Sequence, residues 1–66
     1  MKLSDIASGS RISLTGKVRG TLIDNTSDPE QSRVMVELMA EPVEKLVYNW
    51  AIEYVLVDNL WEEVEL

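Results

Sequence analysis

The chain has 66 residues, which suffices for one domain around one small core. It contains neither cysteine nor histidine, which excludes disulfides, zinc sites built on those residues and the usual nucleophile–base pairs. The formal net charge of -6 opposes binding to a phosphate backbone.

A domain this small buries only about 60% of its unfolded surface. Without disulfide or zinc, oligomerisation is the remaining common source of stability, so a homo-oligomer is expected. The charge is unevenly distributed. Residues 1–23 carry Lys2, Arg11, Lys17 and Arg19 against Asp5, while residues 24–66 carry Arg33 and Lys45 against eleven acids. Local pairing of the basic segment with the acidic remainder follows. No run approaches the ~20 apolar residues of a membrane span, and the opening residues lack the pattern of a secretory signal. A cytoplasmic protein is the expectation.

Residues 1–9 read as a lead-in. Leu3, Ile6 and Ala7 share a face in a single helical turn that Ser4 is placed to cap, and Gly9-Ser10 marks a turn. From Ile12 to Leu22 every second residue is apolar or glycine, with Ser13, Thr15, Lys17, Arg19 and Thr21 between. A period of two is a strand signal. Unbroken phase favours one long strand over residues 10–23, bent at Gly16 and Gly20, over two strands joined near Thr15-Gly16. Arg11, Lys17 and Arg19 then line its polar face.

Residues 24–32 form a polar loop. Its Asp24, Asn25, Asp28 and Glu30 are oxygen donors, but their spacing is not that of a calcium loop; no metal or other cofactor is expected. Residues 33–39 read as the second strand, with Val34, Val36 and Leu38 on one side and Met35, Glu37 and Met39 on the other. The two methionines suit an irregular core edge or an oligomer contact.

The segment 43–64 fits two templates. Val43, Val47, Trp50, Tyr54, Val57, Trp61 and Val64 recur at helical spacing, whereas Leu46, Tyr48, Trp50, Ile52, Tyr54 and Leu56 alternate. The β-branched and aromatic content favours strands. Residues 45–49 then form a hairpin with 33–39, residues 50–53 a corner, 54–57 a strand, Asp58-Asn59 a turn and 60–66 a closing edge strand. The fold expected is mainly β, a partly open barrel of about five strands. The alternative is an α+β fold with a helix near residues 42–50 packed on a sheet.

This order of elements resembles the small SH3-like barrels over residues 10–57, with 60–66 as an extra edge. That class comprises peptide-, RNA- and DNA-binding modules and assembly modules, so the resemblance implies a binding role. No residue pattern supports catalysis or a small-molecule substrate. The favoured function is a protein-interaction or assembly module, acting on a protein partner or on a second copy. Trp50 is the better core candidate, while Trp61, Met35, Met39, Glu53, Asp58, Glu62, Glu63 and Glu65 are the interaction candidates. The five acids also suggest imitation of nucleic acid, a property for which the chain is similar to small acidic inhibitors of phages. The alternative is a nucleic-acid-binding module using Arg11, Lys17, Arg19 and Arg33, which the acidic remainder disfavours.

Overall fold

The computed structural model of the protein describes residues 1–25, 30–38 and 40–65. The alternating segment forms a hairpin rather than one bent strand. Strand β1 (Arg11–Leu14) and strand β2 (Val18–Asp24) are joined by a 3₁₀ turn at Thr15–Lys17. Leu14 pairs with Val18 and Ile12 with Gly20. A loop of three residues returns the chain in the same parity, so the apolar alternation runs through it unbroken. Gly16 and Lys17 take positive φ in this turn, a conformation that glycine adopts without penalty.

The remaining strands are β3 (Gln31–Val36), β4 (Val43–Tyr48), β5 (Ile52–Val57) and β6 (Leu60–Glu63). Together they make one antiparallel sheet in the order β4-β3-β2-β1-β5-β6, and it is not closed. The fold is therefore mainly β. The helix considered over residues 42–50 is replaced by β4 and a 3₁₀ turn at Asn49–Ala51. Strand structure also extends into the segment expected to be loop, taking in Asp24, Gln31 and Ser32.

The turn at Asn49–Ala51 forces the sheet to curl. It leads from β4 to β5, which are separated in the sheet by β3, β2 and β1. Four strand spacings in a flat sheet amount to about 19 Å. Four extended residues, from Tyr48 to Ile52, reach only about 14 Å, and a 3₁₀ turn reaches less. The two flanks of the sheet must therefore bend toward one another.

The core lies on the inner face of the curl. It consists of Leu3, Ile6, Ile12, Leu14, Leu22, Val34, Val36, Ile52 and Val55, with Val18, Val47, Val57 and Val64 packed against it. Burial of such side chains contributes about 1.5–3 kcal/mol each. Ile52 and Val55 both point inward because Glu53 is an extra residue in β5, opposite the step from Ser13 to Leu14. Neither tryptophan belongs to this core. Trp50, the expected core residue, is 64% exposed.

The lead-in fills one mouth of the curl with Leu3 and Ile6, while Ala7 is exposed. The short turn is Leu3–Asp5, flanked by Lys2, so Ser4 lies within it and does not cap it. It is fastened at both sides. Asn25 Nδ2 donates to the Leu3 carbonyl at 2.9 Å, and the Leu3 amide donates to the Glu65 carbonyl at 2.9 Å. Inside, the buried Ser32 hydroxyl donates to Asn49 Oδ1 at 2.6 Å, which ties β3 to the corner turn and satisfies an otherwise costly polar group.

Gly20 sits at the tightest point. A Cβ there would lie 2.9 Å from the Met35 carbonyl oxygen and 2.9 Å from Val34 Cγ1. Gly20→Ala is expected to destabilise the fold by about 1–3 kcal/mol through overpacking, read as a lower midpoint in denaturant with an unchanged slope.

Candidate interaction surface

The outer face of the sheet carries the residues of most functional interest. Alternation along β4 turns Glu44, Leu46 and Tyr48 to this face, opposite Met35, Arg33 and Gln31 of β3. Leu46 and Tyr48 are exposed by 62% and 51%. Trp50 follows in the corner turn and stacks on Tyr48, with ring centroids 5.8 Å apart and planes within 11°. Leu46 and Tyr48 of β4 and Trp50 of the corner turn thus make an apolar strip along this border of the sheet. Sequence reasoning did not single out Leu46 or Tyr48, because both fitted a strand without any sign of which face would be covered.

Ionic contacts surround this strip. Arg33 donates to Glu44 at 3.0 Å and to Asp24 at 3.4 Å. The hydrogen bond to Glu44, then the negative charge of Glu44 and of Asp24, raises the Arg33 pKa above its ordinary value. Arg33 therefore stays charged. All three side chains are partly exposed, so solvent screens the network and its main effect is to orient the side chains. Arg11 pairs with Glu37.

On the other flank, the Arg19 guanidinium lies over the Trp61 ring, 4.5 Å from its centroid. The two residues come from β2 and β6, with β1 and β5 between them. Ser13 lies between Arg19 and Tyr54 in the cross-strand register and is buried although it faces outward. Trp61 is thus engaged within the chain and remains 40% exposed.

Arg11 and Arg19 share the outer face, as the sequence suggested, and Arg33 of β3 joins them in place of Lys17, but each meets a partner in the acidic or aromatic remainder. Lys17 stands apart in the β1–β2 turn. The interaction candidates are dispersed. Glu53 and Glu63 flank an open cleft of about 180 Å³ that Trp50, Ile52, Tyr54 and Val64 also line. Glu62 pairs with Val55 on the opposite face of β6, Asp58 lies in the β5–β6 turn and Glu65 lies beside Lys2. Met35 is half-buried between Thr21 and Glu44, and Met39 lies outside the described residues.

Among the described residues no three histidine, cysteine or acidic side chains group as metal ligands. Of the loop donors, Asp24 faces Arg33 and Asn25 holds the lead-in, while Asp28 lies outside the described residues. No helix of the described residues is long and apolar enough to cross a membrane. Comparison with protein-family models, curated proteins and solved structures yields no match to this chain.

The two tryptophans are expected to respond differently to mutation. Trp50→Ala should cost about 0.5–1.5 kcal/mol, the worth of its stack on Tyr48, rather than the 3–5 kcal/mol typical of a core tryptophan. A double-mutant cycle between Arg19→Met and Trp61→Leu should show a coupling of about 0.5–1 kcal/mol. Denaturant titration of the variants measures both quantities.

Proposed function

We propose that this chain is a non-enzymatic protein-interaction or assembly module of the SH3-like kind, acting in the cytoplasm. The observation that carries the reading is the exposed strip Leu46–Tyr48–Trp50. Exposed aromatic side chains on a rigid sheet are the groups that dominate protein–protein contacts, and they are unusual on a small chain that needs its apolar surface for a core. The strand order β4-β3-β2-β1-β5, with a 3₁₀ turn between β4 and β5, supports the SH3-like assignment. An accessory or inhibitor role fits the same surface, with the acidic residues steering a basic partner. Their dispersal, with Glu62 and Glu63 on opposite faces of β6, weighs against imitation of a nucleic-acid strand.

Use of Arg11, Lys17, Arg19 and Arg33 on a nucleic acid is the competing reading, and the engagement of the three arginines within the chain weighs against it. Two measurements separate these readings. Titration with labelled random DNA and RNA is expected to give no salt-dependent binding. Cross-linking in the native cell is expected to capture a protein with the wild type and to lose it with Tyr48→Ala/Trp50→Ala. Tight, salt-sensitive nucleic-acid binding abolished by Lys17→Glu/Arg19→Glu would overturn the proposal.

A further inference from the structure

The two edges of the sheet differ in a way that points to a partner. Strand β6 carries Glu62 and Glu63, and the chain start covers part of that side. The Met1 ammonium donates to the Glu63 carbonyl at 3.0 Å, and Lys2 bridges to Glu65. Strand β4 has one acid and one base, Glu44 and Lys45, and three exposed apolar residues, Val43, Leu46 and Tyr48. Among the described residues no strand pairs with its outer side. Charges on an edge discourage self-pairing, and on β4 they are confined to Glu44 and Lys45, leaving Leu46, Val47 and Tyr48 without one.

The backbone register narrows the geometry. The Asn49 amide donates to the Glu30 carbonyl at 2.8 Å, which makes 30 and 49 a hydrogen-bonded pair. Such pairs alternate in an antiparallel ladder, so Val47, Lys45 and Val43 direct their main-chain groups toward β3. Glu44, Leu46 and Tyr48 direct theirs outward, and these residues also form the outer face. We propose that β4 pairs antiparallel with β4 of a second copy about a twofold axis at Leu46, joining two six-stranded sheets into one. The inference rests on the interaction-module reading and names its partner.

Charge and main-chain chemistry favour this register over those centred on Lys45, Glu44 or Val47, the last of which would pair Glu44 with Trp50 of the corner turn. A twofold axis at Lys45 sets two ammonium groups opposite each other and aligns Tyr48 with Pro42, which has no amide hydrogen. An axis at Glu44 opposes two carboxylates. The axis at Leu46 sets Leu46 on Leu46, Glu44 opposite Tyr48 and Lys45 opposite Val47. It uses all three outward residues of each strand, for about six new main-chain hydrogen bonds. No like charges face one another, and the lysine stem lies along an apolar neighbour. A second copy therefore satisfies the polar edge and sets an apolar neighbour beside Leu46 in one step.

Sedimentation velocity of the full chain from about 5 to about 500 µM tests the pairing. The expected result is a reversible monomer–dimer equilibrium for the wild type, weakened about tenfold or more by Leu46→Lys, which sets two cations across the axis. The exposed site leaves the monomer folded, checked by circular dichroism. Because the chain has no cysteine, oxidation reads the register directly. Leu46→Cys should give a disulfide-linked dimer, since directly opposed residues have Cα atoms about 5.5 Å apart. Glu44→Cys alone should not, and Glu44→Cys with Tyr48→Cys should. A wild type that stays monomeric throughout overturns the inference and leaves the interaction-module reading to its own test with a different protein. A dimer that withstands Leu46→Lys, or that cross-links through Glu44→Cys alone, also overturns it while preserving self-assembly.

Discussion

Three residues, Asn49–Ala51, carry the chain from the outermost strand on one side of the sheet to the strand beside β1 on the other. That short passage is possible only because the sheet curls, and the curled sheet has a close approach near its centre. Gly20 provides it, with the Met35 carbonyl and Val34 where a side chain would begin. The consequences spread outward. Ile12, Leu22, Val34 and Val55 converge on a single interior, Ser32 reaches Asn49, and the mouth that remains is small enough for Leu3 and Ile6 to fill. The extra residue at Glu53 serves the same end, bringing Ile52 and Val55 inward although they are three positions apart.

Once one face of the sheet supplies the core, the other must be stabilised by different means. On the β5–β6 flank the chain uses its own residues. Arg19 reaches Trp61 and Ser13 is covered although it faces outward. On the β3–β4 flank the contacts are ionic, through Arg33, Glu44 and Asp24, and they run beside Leu46, Tyr48 and Trp50 without covering them. The same face is thus tied together across the β5–β6 flank, although Tyr54 and Trp61 stay 44% and 40% exposed, and is left more open at the β4 border.

Much of the β architecture was legible in residue patterns, and the failures have physical causes. Alternation from Ile12 to Leu22 correctly separates inward from outward residues. It cannot distinguish a long strand from a hairpin with a three-residue loop, because both preserve parity. Residues 43–64 matched a helical spacing for a different reason. The corner turn and the bulge at Glu53 interrupt the period of two, and an interrupted strand pattern mimics a helical one. The β-branched and aromatic content was the better guide. Trp50 is exposed despite its size. Its position on the turn between β4 and β5 decides the matter, since that turn runs outside the curl. The contacts of Arg11, Arg19 and Arg33 join residues distant in sequence, so only their general pairing with the acidic remainder could be anticipated.

The edges show how composition and architecture meet. An open sheet has two unpaired borders, and each is a route to uncontrolled association. The concentration of acids after Lys45 has an evident use on β6, where Glu62 and Glu63 sit on opposite faces of the border strand and the chain start covers part of the adjoining backbone. The same logic applied to β4 would place charges at Leu46 and Tyr48. The chain instead leaves Leu46 and Tyr48 exposed there, with Trp50 stacked on Tyr48. A small protein with few large apolar residues loses stability by keeping them outside its core. Their retention on the β4 border fits the proposed pairing of that edge with another chain.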